Sequence, residues 1–262
     1  MRDKDFVKSL SKGLAILELL SKSSTPLSLT QIAKELRYNK AAVQRFLYSL
    51  TKLGYCQKVE GKKYSLGYKI LSLGVFFQRN DKLYNLAQPY LENLSNRLQH
   101  SVTLGVLIDT EVLIIYRKEL TQFFPYALYT GSKIPAYCSS TGRVLLAGMP
   151  DVELEKLLDR MPLLPLTPKT LVRKEDIRRE IQKTRKRGYA IVDQEFSLDL
   201  YTMTFPWLNQ ESRVVAALTA SLNVVEKKDK ELLEKVKNSL IETSQFISKN
   251  LGYDGPYPAI YW

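Results

Sequence analysis

One stretch of the sequence, residues 40–53, combines an apolar helical face with an opposite face of small, amide and cationic side chains. The apolar face consists of Val43, Phe46, Leu47, Leu50 and Leu53. The opposite face then carries Ala41, Gln44, Arg45, Tyr48 and Lys52. In a DNA major groove, small alanines allow close approach, while Gln44 can pair with adenine and Arg45 with guanine. Either side chain can hold a phosphate instead, and an ordinary surface helix is the alternative interpretation.

Two shorter segments precede this helix and must position it. Residues 11–20 have helical spacing and end at the turn-rich residues 21–26. Ser28, followed three residues later by Gln31, is a capping-box pattern that predicts a second helix over residues 29–36. Asn39 is a suitable N-cap for the third helix, which we expect to end at Gly54. Two short helices joined by a four-residue turn predict a helix-turn-helix.

A hairpin pattern follows the third helix directly. Residues 55–59 and 62–66 have the composition of strands, and Glu60-Gly61 of a tight turn between them. This hairpin is the wing of the domain. Its lysines are placed to contact DNA phosphates, which contributes more to binding affinity than to sequence specificity. The helices and the hairpin together predict a winged helix-turn-helix DNA-binding domain. We expect its DNA contacts to be Ser28, Gln31, Lys40, Ala41, Ala42, Gln44, Arg45, Tyr48, Lys62 and Lys63.

The charge distribution favours a basic domain attached to a near-neutral one. The 262 residues include 39 Lys and Arg and 27 Asp and Glu, for a net charge of +12. Residues 1–70 hold 14 of the basic and 5 of the acidic residues, which leaves 25 and 22 for residues 71–262. Clustered cations suit phosphate binding, although a solvated surface is the alternative. A nonspecific nucleic-acid-binding protein would leave the large second domain unexplained.

Several other classes of protein are not indicated. No apolar run reaches 18 residues and the N-terminus mixes both charges, so we expect no membrane span or signal peptide, and a cytoplasmic location. Cys56, Cys138 and the lone His100 lack metal-ligand spacing, so no metal, cofactor or disulfide framework is expected. Without a nucleophile elbow or phosphate-binding glycine motif, a ligand-processing enzyme is the less favoured alternative.

Short blocks occur in order along nearly the whole chain: KGLAILELL (12–20), LSLTQIA (27–33), KAAVQRFL (40–47), LGY (53–55), YSLG (64–67), GSKIPAY (131–137), TGRVLLA (141–147), RGYA (187–190) and VVAAL (214–218). Together they resemble the IclR family of bacterial transcription regulators. The resemblance implies an α+β chain, with an N-terminal winged helix-turn-helix and a C-terminal effector domain whose curved antiparallel sheet is flanked by helices. It places the DNA-binding domain at residues 1–67, a linker helix at 68–80 and the effector-binding domain at 81–262.

Periodicity agrees with that architecture. Helical spacing occurs near residues 83–99, 151–159, 175–187 and 228–250, and strand-like stretches near 102–108, 112–117, 189–192, 201–207 and 214–222. One recognition helix covers too few base pairs for genomic specificity, so we expect a homodimer. The resemblance extends this to a dimer of dimers. The aromatic tail, residues 253–262, carries no motif, and we expect it to pack on its own domain or on a partner subunit.

In this family a small-molecule effector lies in a cup at the open face of the sheet. The matching positions put Ser140 and Thr141 at a helix start, where hydroxyl and backbone N–H groups can hold a carboxylate. Thr202, Thr219 and Ser221 occupy the places of strand residues that donate to ligand oxygens. Strand threonines whose hydrogen bonds are already satisfied are the alternative.

Other positions depart from the common family pattern. Val192 stands where many members have an acidic residue, so effector specificity cannot be copied. The blocks at 135–137, 142–146 and 192–195 are similar to those of the branch that answers to protocatechuate, 4-hydroxybenzoate and related aromatic acids. Tyr129, Tyr137 and Arg143 would suit a planar anion by stacking and charge. The expected effector is a carboxylate, with an aromatic acid as one candidate; repression and activation both stay open.

Overall fold

The computed structural model describes residues 5–120 and 128–259. The chain divides into two compact units, Met1–Asp81 and Lys82–Trp262. Within the described residues, no helix is both long and apolar enough to cross a membrane.

The N-terminal unit is built from four helices and a small sheet within its described residues. In chain order its elements are α1 (Lys8–Lys22), β1 (Leu27–Ser28), α2 (Leu29–Glu35), α3 (Lys40–Lys52), β2 (Cys56–Val59), β3 (Lys63–Leu66) and α4 (Lys69–Asn80). The predicted capping box is confirmed, because Gln31 N donates to Ser28 Oγ and Ser28 N donates to Gln31 Oε1. Asn39 caps α3 by accepting from Ala41 N at 2.8 Å. These caps satisfy backbone N–H groups that a helix start leaves free.

The helices of this unit enclose a core that matches the apolar stripes of the sequence. Its buried members are Ile16, Leu20, Ile32, Ala33, Val43, Leu47 and Cys56. Gly54 follows α3 with a φ of +82°, the left-handed conformation that glycine adopts at helix ends. The polar face of α3 is therefore held outward by burial of the opposite face.

The hairpin differs in detail from the prediction. Its tip is a three-residue 3₁₀ turn, Glu60–Lys62, and not a two-residue turn, because Gly61 and Lys62 both have positive φ. β3 consequently begins at Lys63. A third strand, β1, pairs with β3 through Leu27 opposite Tyr64. A two-residue strand carries no detectable alternation, so the sequence did not reveal it.

The C-terminal unit contains one antiparallel sheet flanked by helices. In chain order its elements are α5 (Lys82–Leu98), β4 (Ser101–Ile108), β5 (Glu111–Lys118), β6 (Lys133–Pro135), α6 (Ser140–Ala147), α7 (Asp151–Arg160), α8 (Lys174–Arg187), β7 (Ala190–Asp193), β8 (Leu200–Leu208), β9 (Val214–Asn223) and α9 (Lys230–Asn250). In the described part of the chain the strand order is β6-β5-β4-β9-β8-β7. Bulges interrupt the register at Leu104/Gly105 and Trp207/Leu208, which bends the strands and contributes to the curvature.

The two faces of the sheet have different roles. Val102 and Leu104 pack into the core that α5 and α9 cover, whereas Thr103 between them points to the opposite face. That second face is covered by α6, which packs against β7, β8 and β9, and α8 packs on α6. Alternation along the strands therefore separates an apolar core from a polar inner face.

Loop residues lie unusually close to the start of α6. A Cβ on Gly142 would lie 2.1 Å from the carbonyl oxygen of Ala136, so only glycine fits there. Ser139 is the N-cap of α6 and accepts from Gly142 N at 3.1 Å. This contact fixes the first turn of α6 above the polar face of the sheet.

The described part of the C-terminal tail packs on its own unit. Tyr257 donates its hydroxyl proton to the carbonyl of Pro206, and Tyr253 and Ala259 are buried against Leu208. Residues 260–262 of the predicted aromatic tail lie outside the described residues.

Candidate DNA interface and effector cavity

The exposed face of α3 and the hairpin together form a groove of about 610 Å³ in the N-terminal unit. Its lining residues are Ala41, Gln44, Arg45, Tyr48, Ser49, Thr51, Lys58 and Tyr64. Ala41, Gln44, Arg45 and Tyr48 were expected to face DNA, and the fold brings these four together on one surface. Tyr48 is 68% exposed, although an aromatic ring of that size is usually buried.

The hairpin side of this groove was not anticipated. Lys58 on β2 lies directly opposite Tyr64 on β3, which places a cation and a phenol on the groove wall. Direct cross-strand partners share one face of a hairpin. The register of β2 and β3 decides this pairing, so a strand assignment alone could not give it.

The other predicted DNA contacts lie outside the groove lining. Lys40, Lys62 and Lys63 are exposed, and Ala42 is half-buried on α3. The polar groups of Ser28 and Gln31 bond to each other in the capping box. Their structural role is to fix the start of α2.

The C-terminal unit contains a second site, a cavity of about 40 Å³ between the polar face of the sheet and the start of α6. Five of the predicted effector contacts line it: Ser140, Thr141, Thr202, Thr219 and Ser221. Apolar residues complete its walls: Ile114, Leu128, Ile134, Val192, Phe196 and Leu200. The cavity thus has one hydroxyl-rich side and one apolar side.

Buried hydroxyls beside this cavity form a continuous hydrogen-bonded chain. Ser140 Oγ donates to Thr202 Oγ1 at 2.8 Å, and Thr204 Oγ1 donates to Ser140 Oγ at 2.6 Å. Thr204 and Thr219 are 2.7 Å apart, as are Thr219 and Thr141. Thr202 completes the chain by donating to the carbonyl of Val192 at 3.4 Å.

The direction of this chain follows from counting protons, since each hydroxyl has one to donate. The proton of Thr204 is committed to Ser140, so Thr219 must donate to Thr204. Thr141 must then donate to Thr219. All five protons are used within the protein. The hydroxyls of Ser140 and Thr141, which we expected to donate to a carboxylate, act in this arrangement only as acceptors toward the cavity.

Two cavity residues that the sequence did not single out are Thr103 and Arg117. They are cross-strand partners on β4 and β5, and Arg117 Nη1 donates to Thr103 Oγ1 at 2.9 Å. Thr103 also lies opposite Thr219 on β9. The polar alternation around Thr103 is visible in the sequence, but its partner depends on the register of β4 and β5, which shifts at Leu104/Gly105.

Three predicted effector contacts do not line the cavity. Tyr129 is 61% exposed. Tyr137 is buried, and its hydroxyl donates to the carbonyl of Leu164 at 2.6 Å. Arg143 is 1% exposed and pairs with Glu195. Tyr137 and Arg143 therefore each have a structural partner, while Nε of Arg143 is buried without a hydrogen-bond partner among the described residues.

Cys138 is a further residue of the cavity wall. Burial raises the pKa of its thiol to about 12, and the nearby carboxylate of Glu195 acts in the same direction. The thiol is therefore neutral at physiological pH and behaves as a small apolar group.

Comparison with known proteins gives matches over both units. The family model of the IclR helix-turn-helix domain matches residues 9–60. The family model of the bacterial transcriptional regulator IclR C-terminal domain matches residues 77–249. The Pca regulon regulatory protein of Pseudomonas putida is 35% identical over 85% of this chain and 76% of its own. The HTH-type transcriptional regulator XynR of Escherichia coli is 30% identical over 94% of this chain and 98% of its own.

Solved structures agree with the fold. IclR of Thermotoga maritima covers 94% of this chain and 99% of its own, with 28% identity and a TM-score of 0.70. An IclR homolog from Microbacterium hydrocarbonoxydans, complexed with 4-hydroxybenzoate, covers 93% and 99% with a TM-score of 0.76; at 22% identity it supports the fold alone. These named relatives regulate transcription. The chain therefore belongs to the IclR family of bacterial transcriptional regulators, with a helix-turn-helix DNA-binding domain and a C-terminal effector-binding domain.

Proposed function

We propose that this regulator binds a specific operator as a homodimer, through the groove on α3 and the hairpin, under the control of a small carboxylate in the C-terminal cavity. The groove is the observation that carries the proposal. Gln44 and Arg45, which can read base edges, line it together with exposed Tyr48 and the wall residue Lys58. Exposed Lys40, Lys62 and Lys63 supply phosphate contacts outside it.

An unpaired apolar surface supports the homodimer. α4 buries none of its residues, although half of its side chains are large and apolar. The exposed apolar residues on or beside this helix are Tyr68, Leu71, Leu73, Val75, Phe76 and Phe77. Apolar surface of this extent marks an interaction site. A second copy of the chain is the fitting partner, because two recognition helices together give operator specificity.

Competition binding tests sequence-specific regulation. The full chain is bound to a labelled duplex from the intergenic region upstream of its own gene and challenged with unlabelled copies of that duplex or with random duplex. We expect the cognate competitor to displace the chain at far lower concentration. Equal displacement by both duplexes would identify a nonspecific binder.

Sedimentation of the same preparation tests the homodimer. A dimer at micromolar concentration is expected, and a variant with Phe76→Glu should dissociate while keeping its fold. A monomeric wild-type chain that still binds the cognate duplex specifically would overturn the dimer and leave the operator contact intact.

The carboxylate proposal is tested by thermal unfolding in the presence of small acids and their uncharged amides. A ligand that binds only the folded state raises the unfolding temperature with its concentration. We expect acids to stabilise the C-terminal unit and the matched amides to have a smaller effect. Stabilisation by the amides alone would exclude a carboxylate effector.

A further inference from the structure

Arg117 has a distinctive place in the cavity. Among the lining residues that the structure describes, it alone has a charged side chain, and that side chain is 4% exposed. Nη1 donates to Thr103, whereas Nε is buried and has no hydrogen-bond partner among the described residues. A buried N–H group without an acceptor is unfavourable, so the site is incomplete as it stands.

The charge of Arg117 is only partly balanced by the protein. Its carboxylate neighbour, Glu119, lies 3.4 Å from Nη2, with a side chain that is 32% exposed. Nη2 donates to Glu119 Oε1, but 3.4 Å is long for a hydrogen bond between charged groups, so this contact leaves a cationic group beside the cavity. The guanidinium presents Nε and Nη2 on one edge, and a carboxylate binds that edge with two parallel hydrogen bonds.

Neighbouring hydroxyls are suited to the same anion. Thr103 accepts from Arg117, and its own proton has no acceptor within the described part of the chain. Ser221 lies opposite Ser101 on β4 and Thr202 on β8, and it too donates no hydrogen bond among the described residues. Both side chains line the cavity. The strands that carry Arg117, Thr103 and Ser221 therefore offer donors.

The α6 side of the cavity offers a hydrogen-bond acceptor where the strands offer donors. Thr141 begins the hydroxyl chain, so its proton is spent on Thr219 while its oxygen accepts from no group in the described structure. A ligand hydroxyl can donate to that oxygen. A ligand keto oxygen or methyl group cannot.

We propose that Arg117 anchors the carboxylate of the effector and that Thr141 accepts a hydrogen bond from a hydroxyl on the same molecule. The cavity then selects hydroxycarboxylates over acids without the hydroxyl. This inference rests on the proposed effector function and specifies its ligand class. A cavity of about 40 Å³ has room for a few water molecules, so even a ligand as small as glycolate requires the walls to move. A benzene ring needs a cavity of about 150 Å³, so an aromatic hydroxy acid requires the walls to move.

Titration calorimetry on the full chain tests both contacts with matched ligands. The aliphatic set is glycolate, acetate and glycolamide; the aromatic set is 4-hydroxybenzoate, benzoate and 4-hydroxybenzamide. In at least one set, we expect the hydroxy acid to bind about fivefold more tightly than the acid without the hydroxyl. The hydroxy acid should also bind at least about 30-fold more tightly than its amide. The set that binds identifies an aliphatic or an aromatic effector.

Three variants assign these preferences to residues. Arg117→Gln should remove the preference for acid over amide, and Thr141→Val should remove the preference for the hydroxyl. Lys118→Gln is the control, because Lys118 neighbours Arg117 in sequence but bonds to Glu92 away from the cavity. The wild-type ligand comparisons decide the proposal even if a variant does not fold.

The outcomes separate this inference from the proposed function. Equal binding of hydroxy and deoxy acids would overturn the selection of the hydroxyl by Thr141. An acid affinity that Arg117→Gln leaves unchanged would overturn the anchor at Arg117 and assign the anion to the start of α6. Failure of all six compounds to bind would overturn the whole inference. Specific binding of the cognate duplex, measured on the same preparation, would in each case leave the regulator assignment standing.

Discussion

Arg143 Nη2 and Glu195 Oε2 are 2.5 Å apart in the interior of the C-terminal unit, where both side chains are at most 9% exposed. The residues are 52 positions apart in the chain and join the first turns of α6 to the segment after β7. A buried pair of this kind fixes the position of α6 more than it adds stability, since both charges lose their hydration.

Glu195→Gln should destabilise the chain strongly, because it leaves the Arg143 cation buried without its counter-charge. Removing one partner of a buried ion pair costs about 3–5 kcal/mol in the free energy of unfolding. Urea unfolding of the C-terminal unit measures this loss of stability. The double change Arg143→Met with Glu195→Met should recover a large part of that loss. If the double variant loses as much stability as Arg143→Met and Glu195→Met lose in sum when made singly, the two residues act independently.

Arg45→Ala should weaken binding to the cognate operator by about 1–3 kcal/mol while sparing random duplex, because we assign Arg45 to a base edge. The two affinities are measured at one salt concentration. An equal loss on both duplexes would assign the guanidinium to a phosphate instead.

Lys58→Ala should weaken binding to cognate and random duplex alike, since its place on the groove wall suits a phosphate. The slope of log affinity against log salt should fall by about one. Lys52→Ala is the control, because Lys52 is exposed on α3 but lies outside the groove lining. A slope that Lys58→Ala leaves unchanged would remove the wing from the interface.

Gly142→Ala should destabilise the C-terminal unit by more than about 2 kcal/mol, because its Cβ would lie 2.1 Å from the Ala136 carbonyl oxygen. Gly13→Ala is the matched control. A Cβ built on Gly13, within α1, would lie in ordinary contact at 3.9 Å from Cδ1 of Phe46, so alanine there should stabilise the helix by about 0.5–1 kcal/mol. Thermal unfolding measures both. Similar effects of the two changes would contradict the close approach.

The two thiols should react slowly in the folded chain. Burial raises the pKa of Cys56 to about 11 and that of Cys138 to about 12, so the reactive thiolate is scarce at pH 8 and increases as the pH rises. We expect labelling by a disulfide reagent to be at least about 100-fold slower in buffer than in concentrated urea, followed by absorbance. Complete labelling of the folded chain within minutes at pH 8 would contradict the burial of both thiols.

Much of the fold was predictable because local rules act over a few residues. The capping box at Ser28 and the glycine end of α3 at Gly54 were both readable, and the outward face of α3 followed from the apolar stripe that opposes it. The helical side of the groove proposed to bind DNA could thus be predicted. Lys58 was missed because its position depends on strand register, which a list of strands does not contain.

The cavity was less predictable for the same reason. The resemblance led to the five hydroxyl residues but not to Arg117, whose contact with Thr103 depends on how β4 and β5 pair around a bulge. The partner of Arg143 could not be recognised in the sequence because its counter-charge comes from a distant segment. A cation in a family motif and a cation already neutralised by Glu195 look identical in the sequence.

In the proposed function, the composition of the cavity wall determines which environmental variable the regulator responds to. Its polar groups are an arginine, hydroxyls and a thiol whose pKa is raised to about 12. Arginine stays charged and hydroxyls stay neutral throughout the physiological range, so none of these groups changes its charge between pH 5 and about 9. A simple carboxylate effector is ionised over the same range. Occupancy of the site should therefore report the concentration of the metabolite even while the acidity inside the cell varies.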